Sequence, residues 1–159
     1  IHTSWQDFDP YQSNLIRSFD IVLSSMSMAI KEEADLLKME ICSRQYCIYI
    51  GWGRLRKNPF MEEIFAKHEM AFKPPPGAQA IYEILSSKQR QLSIDYVHTS
   101  WQWEGTIEEA ISDIAMHIDV QGGVPDPKII RDVATKNSHD GRILHITEAE
   151  QGVIIWQVP

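Results

Sequence analysis

The sequence predicts an α+β fold, a single domain with helices packed on an antiparallel sheet and a β-hairpin at the C-terminus. Three observations carry that expectation. Strand-like and helix-like segments follow one another in mixed order rather than in βαβ alternation. Helix start signals at Asn58 and Thr106 each precede an apolar stripe of helical period. Finally, Arg142 to Thr147 and Val153 to Val158 are rich in β-branched and aromatic residues, and Glu148-Ala-Glu-Gln-Gly152 between them carries a turn signal.

Residues 1–14 are polar and aromatic, with a turn at Asp7-Phe-Asp-Pro10, and read as an extended entry arm ahead of a single domain over 15–159. Phe19, Ile21 and Leu23 alternate with polar or small neighbours, which predicts a strand. Ile30, Ala34, Leu37 and Ile41 recur at helical spacing opposite Lys31, Glu32, Glu33, Asp35 and Lys38, so an amphipathic helix is expected over about 30–42. Tyr46 to Ile50 reads as a short buried strand or as the end of that helix, broken by Gly51 and Gly53.

Asn58 and Pro59 are a cap and first-turn pair for a helix over about 59–70, with Glu62 and Glu63 at its positive end and Lys67 and His68 at its negative end. Lys73-Pro-Pro-Pro-Gly77 is a polyproline break, and 78–87 follows as a short helix with Ile81, Ile84 and Leu85 inward. Leu92, Ile94 and Tyr96 predict a strand running toward Trp101. Thr106 with Glu109 forms a capping box before the stripe of Ile107, Ala110, Ile111, Ile114, Ala115 and Ile118. Asp126-Pro127 opens a last helix burying Ile129, Ile130, Val133 and Ala134. Trp156 and Ile146 of the terminal hairpin are expected to pack against it. One echo stands out: Ile1-His-Thr-Ser-Trp-Gln6 recurs as Val97-His-Thr-Ser-Trp-Gln102, with nothing aligning beyond it.

With 159 residues and 43% apolar content, the chain can bury one substantial core. A formal charge of −7 excludes nucleic-acid binding over the whole surface and leaves a local patch as the route to phosphate. Cys42 and Cys47 alone indicate neither a disulfide framework nor a zinc ribbon, and a reducing compartment is expected. No apolar run approaches the roughly twenty residues of a membrane helix, and no signal peptide is visible, so a soluble chain is expected.

Chemistry is sparse. Ser138-His139-Asp140 puts triad residue types side by side, whereas a triad converges from separate segments, so a loop is expected there. His117 and Asp119 before Gly122-Gly123 fit a helix terminus better than a metal site, which needs at least three ligands. No metal and no cofactor is expected. The segment that stands out runs from Arg44 to Lys57, a cationic loop holding Arg44, Arg54, Arg56 and Lys57 with Trp52 and no acid. Such a loop suits an anionic membrane or phosphate surface, at about 1 kcal/mol per basic group near a membrane. Its bland alternative is a solvated connection.

The order of features resembles the matrix proteins of rhabdoviruses. Asp7-Phe-Asp-Pro10 before a strand and helix, Tyr49-Ile50-Gly51, Arg56-Lys57 and Pro59-Phe60 opening a helix are similar to vesiculovirus members, and Gly141-Arg142 with Ile146 and Trp156 is similar to lyssavirus members. The acidic charge and the absence of a budding motif depart from the family. Under this resemblance, either a basic tail lies ahead of Ile1 or the chain is a divergent member, such as one infecting plants.

The resemblance implies a non-enzymatic structural protein beneath a virion envelope, in host cytoplasm or nucleus before assembly. Its partners would be further copies of itself, the viral nucleocapsid, the anionic inner face of the membrane and host proteins. Arg44, Trp52, Arg54, Arg56 and Lys57 would then meet membrane or ribonucleoprotein, and Trp5, Phe8, Pro10, Tyr11, Pro74, Pro75 and Pro76 would serve self-association. A second reading is an intracellular interaction module using Trp5, Trp101 and Trp103. A third is a small hydrolase drawing on Asp140, His145 or His117.

Overall fold

The computed structural model describes residues 3–27, 29–72 and 77–159. In chain order it contains β1 (Phe19–Ser25), α1 (Glu33–Cys42), β2 (Ser43–Lys57), α2 (Pro59–Lys67), α3 (Ala78–Ser87), β3 (Leu92–Thr106), α4 (Ile107–Val120), α5 (Pro127–Lys136) and β4 (Arg142–Gln157). The fold is α+β, as the sequence predicts. The strands are ordered β1-β2-β4-β3. The sheet is mixed rather than antiparallel, because β1 runs parallel to β2, pairing Ile21 with Tyr46 and Leu23 with Ile48. A parallel pair needs a crossover connection, and α1 supplies it.

Packing divides the chain into two compact units, one of Ile1–Arg54, Pro74–His98 and Glu150–Pro159, the other of Leu55–Lys73 and Thr99–Ala149. Residues of β2, β3 and β4 are shared out between them. In the first unit, Leu36 and Met39 of α1 and Ile81 and Leu85 of α3 close over Cys47, Tyr49, Ile154 and Trp156. In the second, Phe60, Ile64 and Phe65 of α2 join Ile114 and Ile118 of α4 and Ile130 and Val133 of α5 around Ile143.

The helix signals translate directly. Asn58 accepts from the Met61 amide at the start of α2, Thr106 and Glu109 form the reciprocal box on α4, and Asp126 accepts from the Lys128 and Ile129 amides of α5. The expectation for α1 is corrected in its buried face. Leu37 is 40% exposed, while Asp35, Leu36, Met39, Glu40 and Cys42 point inward. The helix is rotated so that an acid, Glu40, enters the core, which hydrophobic periodicity alone would never select. Its carboxylate accepts from Arg90 Nε at 2.8 Å, from Arg90 Nη2 at 2.9 Å and from Trp156 Nε1 at 2.9 Å.

The terminal hairpin is also corrected. Arg142–Gln157 is one continuous strand, and Glu148 to Gly152 lies inside it. Its buried positions are odd-numbered through Ala149 and even-numbered from Gly152, so a phase change midway mimics two strands and a turn. Gly152 is there for close approach: a Cβ on it would sit 2.3 Å from Ala78 Cβ. Trp156 packs with α1 and α3 in the first unit rather than against α5, and Ile146 is 53% exposed.

Residues 3–14 are not an extended arm. Turns fold them back so that Phe8 stacks on Trp5 at 5.4 Å, Pro10 is buried, and Lys38 Nζ donates to the Trp5 and Gln6 carbonyls. The repeated pentapeptide is no structural repeat, since Ser4–Gln6 falls in a turn region and Thr99–Gln102 in β3.

Two substitutions test the Glu40 node. Glu40→Gln is expected to cost about 3 kcal/mol, because it strips the charged partner from a half-buried guanidinium and a buried indole. Trp156→Phe keeps an aromatic ring in place and loses only the N–H donor, for about 1 kcal/mol plus packing. Urea melts of the double variant should fall short of the sum of the two, since both act on one carboxylate.

Candidate functional site

The cationic loop expected at Arg44 to Lys57 is strand β2, and its three guanidinium groups have local partners. Arg44 pairs with Asp20 at 2.9 Å. Arg54 donates to Glu150 at 3.2 Å, with its guanidinium 3.9 Å from the Tyr96 ring centroid. Arg56 is partly buried over Phe72, and that burial lowers its proton affinity. Arg44, Trp52 and Arg54 belong to the first unit, Arg56 and Lys57 to the second. Of the self-association set, Trp5, Phe8 and Pro10 are packed on their own chain, Tyr11 is exposed, and Pro74, Pro75 and Pro76 lie outside the described residues.

What the first unit builds instead is a cavity of about 340 Å³. Its lining includes Ile30 ahead of α1, Tyr49, Gly51 and Trp52 of β2, and Gly77, Ala80 and Ile81 at the start of α3. The wall is overwhelmingly apolar. Tyr49 and Gly51 share one strand face, and the phenol ring lies along the strand over the glycine: a Cβ on Gly51 would meet the Tyr49 ring edge at 2.5 Å. Burial raises the Tyr49 phenol above its ordinary range, so it stays protonated and uncharged. Gly77 admits the Trp52 backbone just as closely, since a Cβ there would fall 2.0 Å from the Trp52 carbonyl oxygen. Tyr49-Ile-Gly51-Trp52 is therefore the sequence signal for this site, and only the tertiary partners Ile30 and Ile81 turn it into a chamber.

A second constellation lies in the other unit. His145 of β4 is sandwiched between Phe60, 5.0 Å away centroid to centroid, and Trp103 at 5.2 Å. Asn58 Nδ2 lies 2.9 Å from His145 Nδ1 and donates to Thr147 Oγ1 at 2.7 Å. Desolvation lowers the His145 proton affinity; Asp113 opposes this and His117 adds to it. Thus His145 and His117 are brought within electrostatic reach of one another. Asp140 is not: it sits in a turn, exposed, with its carboxylate 3.2 Å from His139 Nδ1. His117 faces Asp113 at 3.8 Å, and among the described residues no three His, Cys, Asp or Glu side chains could jointly hold a metal ion. Cys47 is buried and its thiol is pushed up to about 12, chiefly by desolvation, which leaves it inert as a nucleophile at neutral pH. No helix among the described residues is long and apolar enough to cross a membrane.

No family model matches the chain, and no curated protein does. Among solved structures it is similar to a Bacillus halodurans protein with a provisional methyltransferase assignment, at 11% identity and a TM-score of 0.43, over 91% of this chain and 71% of that one. That likeness conveys no activity to this chain. The matrix-protein expectation is corrected all the same: none of these comparisons supports it. The segments on which that expectation rested agree with the correction: the loop is a strand with its guanidinium groups engaged, the hairpin is a single strand, and the arm is folded in.

The glycine contacts yield a direct check. Gly77→Ala must displace the Trp52 backbone, which a flexible side chain could not accommodate for it, and is expected to cost about 1 to 3 kcal/mol. Gly51→Ala need only turn the Tyr49 ring, so its cost in chemical denaturation should be the smaller of the two.

Proposed function

We propose that the first unit binds a small, uncharged, planar and largely apolar molecule in the cavity between β2 and α3. The observation that supports this is the chamber itself: about 340 Å³, walled by Tyr49, Trp52, Ile30 and Ile81, within the size range of ligand sites. Aromatic walls favour a flat ligand, because offset stacking adds to simple burial. The selection against charge comes from the surroundings. Tyr49 is neutral, and Lys31 at the rim is the one charged residue among the described lining residues, so a charged ligand would find no partner inside the chamber.

The test uses the full chain and the neutral fluorescent probe N-phenyl-1-naphthylamine. Binding with a dissociation constant on the order of micromolar is expected. Ala80→Trp, at an exposed helix position on the cavity rim, should weaken it at least tenfold by filling the space. Ile21→Ser, on the outward face of β1, should leave it unchanged and so separates the cavity from the general apolar surface. Equal binding by Ala80→Trp and the parent chain, or no binding by either, overturns the proposal.

A further inference from the structure

We propose that the second unit contains an acid-triggered switch in which α2 is fastened at both ends through neutral histidines, and protonation of those rings releases it. The N-terminal fastening begins at Asn58. Its Oδ1 accepts from the Met61 amide at 3.1 Å, which fixes the amide orientation and turns both Nδ2 hydrogens toward His145 Nδ1 and Thr147 Oγ1. A donor on that side requires His145 Nδ1 to be an acceptor, so the ring is neutral with its proton on Nε2.

The C-terminal fastening is its mirror image. His68, the residue that ends α2, has Nδ1 2.8 Å from the Ile64 carbonyl, an acceptor, so Nδ1 carries the proton. His68 Nε2 is then bare and accepts from the Asp126 amide at 3.0 Å, tying α2 to the cap of α5. In each case the ring nitrogen nearest the donor must lack hydrogen. Protonation sets N–H against N–H at both ends.

At Asn58 the conflict can be relieved only by flipping the amide, which surrenders the helix cap, or by withdrawing His145 from between Phe60 and Trp103. Released, α2 would no longer hold Phe60, Met61, Ile64 and Phe65 in the core. The charged groups turned toward His145 are Asp113 and His117 of α4, while α2 and β3 present aromatic rings and β4 the Thr147 hydroxyl. Asp113 favours the imidazolium and His117 opposes it. Around His68 the charges are Asp126, whose carboxylate is held by the Lys128 and Ile129 amides, and Lys67 and Glu69 on its own segment.

The direction of the pH effect follows. Burial depresses the His145 proton affinity in the folded chain, so the unfolded chain takes up this proton first as pH falls. The histidine's contribution is therefore complete above the ordinary imidazole range, near pH 6.5, and declines as pH falls through that value toward the lower folded one.

Nitrogen-15 NMR of the imidazoles and amide hydrogen exchange on the full chain test the switch. At about pH 7.5, His145 should carry its proton on Nε2 and His68 on Nδ1. Between about pH 7.5 and pH 5, protection of the Met61 amide, corrected for intrinsic exchange, should fall more than tenfold. Asn58→Asp supplies a carboxylate that accepts from both Met61 and protonated His145, and should keep the Met61 amide protected at both pH values. The opposite tautomers, undiminished protection of the parent chain in acid, or a parallel loss in Asn58→Asp overturns the proposal. If Asn58→Asp does not fold, the tautomers and protection of the parent chain decide alone.

Discussion

The first unit depends on one buried carboxylate. Glu40 is 6% exposed, yet it carries a bidentate guanidinium and an indole N–H, so three segments distant in sequence, α1, the residues before β3 and the end of β4, meet at a single acid. A carboxylate is costly to desolvate, and the cost is offset only when its lone pairs are filled by well-placed donors. That requirement sets the rotation of α1, and with it which of its apolar residues reach the core. Leu36 and Met39 go in; Leu37 does not. The same hydrogen bonding raises the Arg90 proton affinity further, as expected for a guanidinium whose charge is answered at short range.

The second unit has a counterpart in Asn58, whose side chain and backbone are all engaged: the amide oxygen caps α2, its nitrogen reaches His145 and Thr147, and its own N–H donates to Glu62. Asn58 is 1% exposed, and with every polar atom satisfied it can be. One polar group thus fixes a helix start, a strand register and an imidazole tautomer together. Because each bond presupposes the others, a change of one proton at His145 is felt at the first turn of α2.

Both units also repeat a smaller device, an aromatic residue lying over the glycine two positions along a strand. Tyr49 covers Gly51, and Trp103 covers Gly105, where a Cβ would come 2.5 Å from the indole. A flattened ring occupies the space that a side chain would fill and leaves its other face free. For Tyr49 that free face borders the cavity; for Trp103 it stacks on His145. The chemistry of each candidate site is thereby positioned by a residue with no side chain.

By itself the sequence determined what short-range physics determines. Caps at Asn58, Thr106 and Asp126 satisfy amides within the same turn, so α2, α4 and α5 begin where their local residues say, and the stripes of α4 and α5 face the core as written except at Ile129, which is only half-buried. Tertiary structure decided wherever a residue's partner lies far along the chain. The cations of β2 read as a free patch because Asp20, Glu150 and Phe72, which engage them, are remote in sequence. β4 read as a hairpin because its inward face changes phase between Ala149 and Gly152, and in one dimension a phase change cannot be told from a turn. The cavity was written in Tyr49-Ile-Gly51-Trp52 only as an odd composition; it became a volume when α3 closed on it. His145 was one histidine among six until Asn58, Phe60 and Trp103 converged on its ring. Convergence is set by packing, and packing is what a linear pattern leaves out.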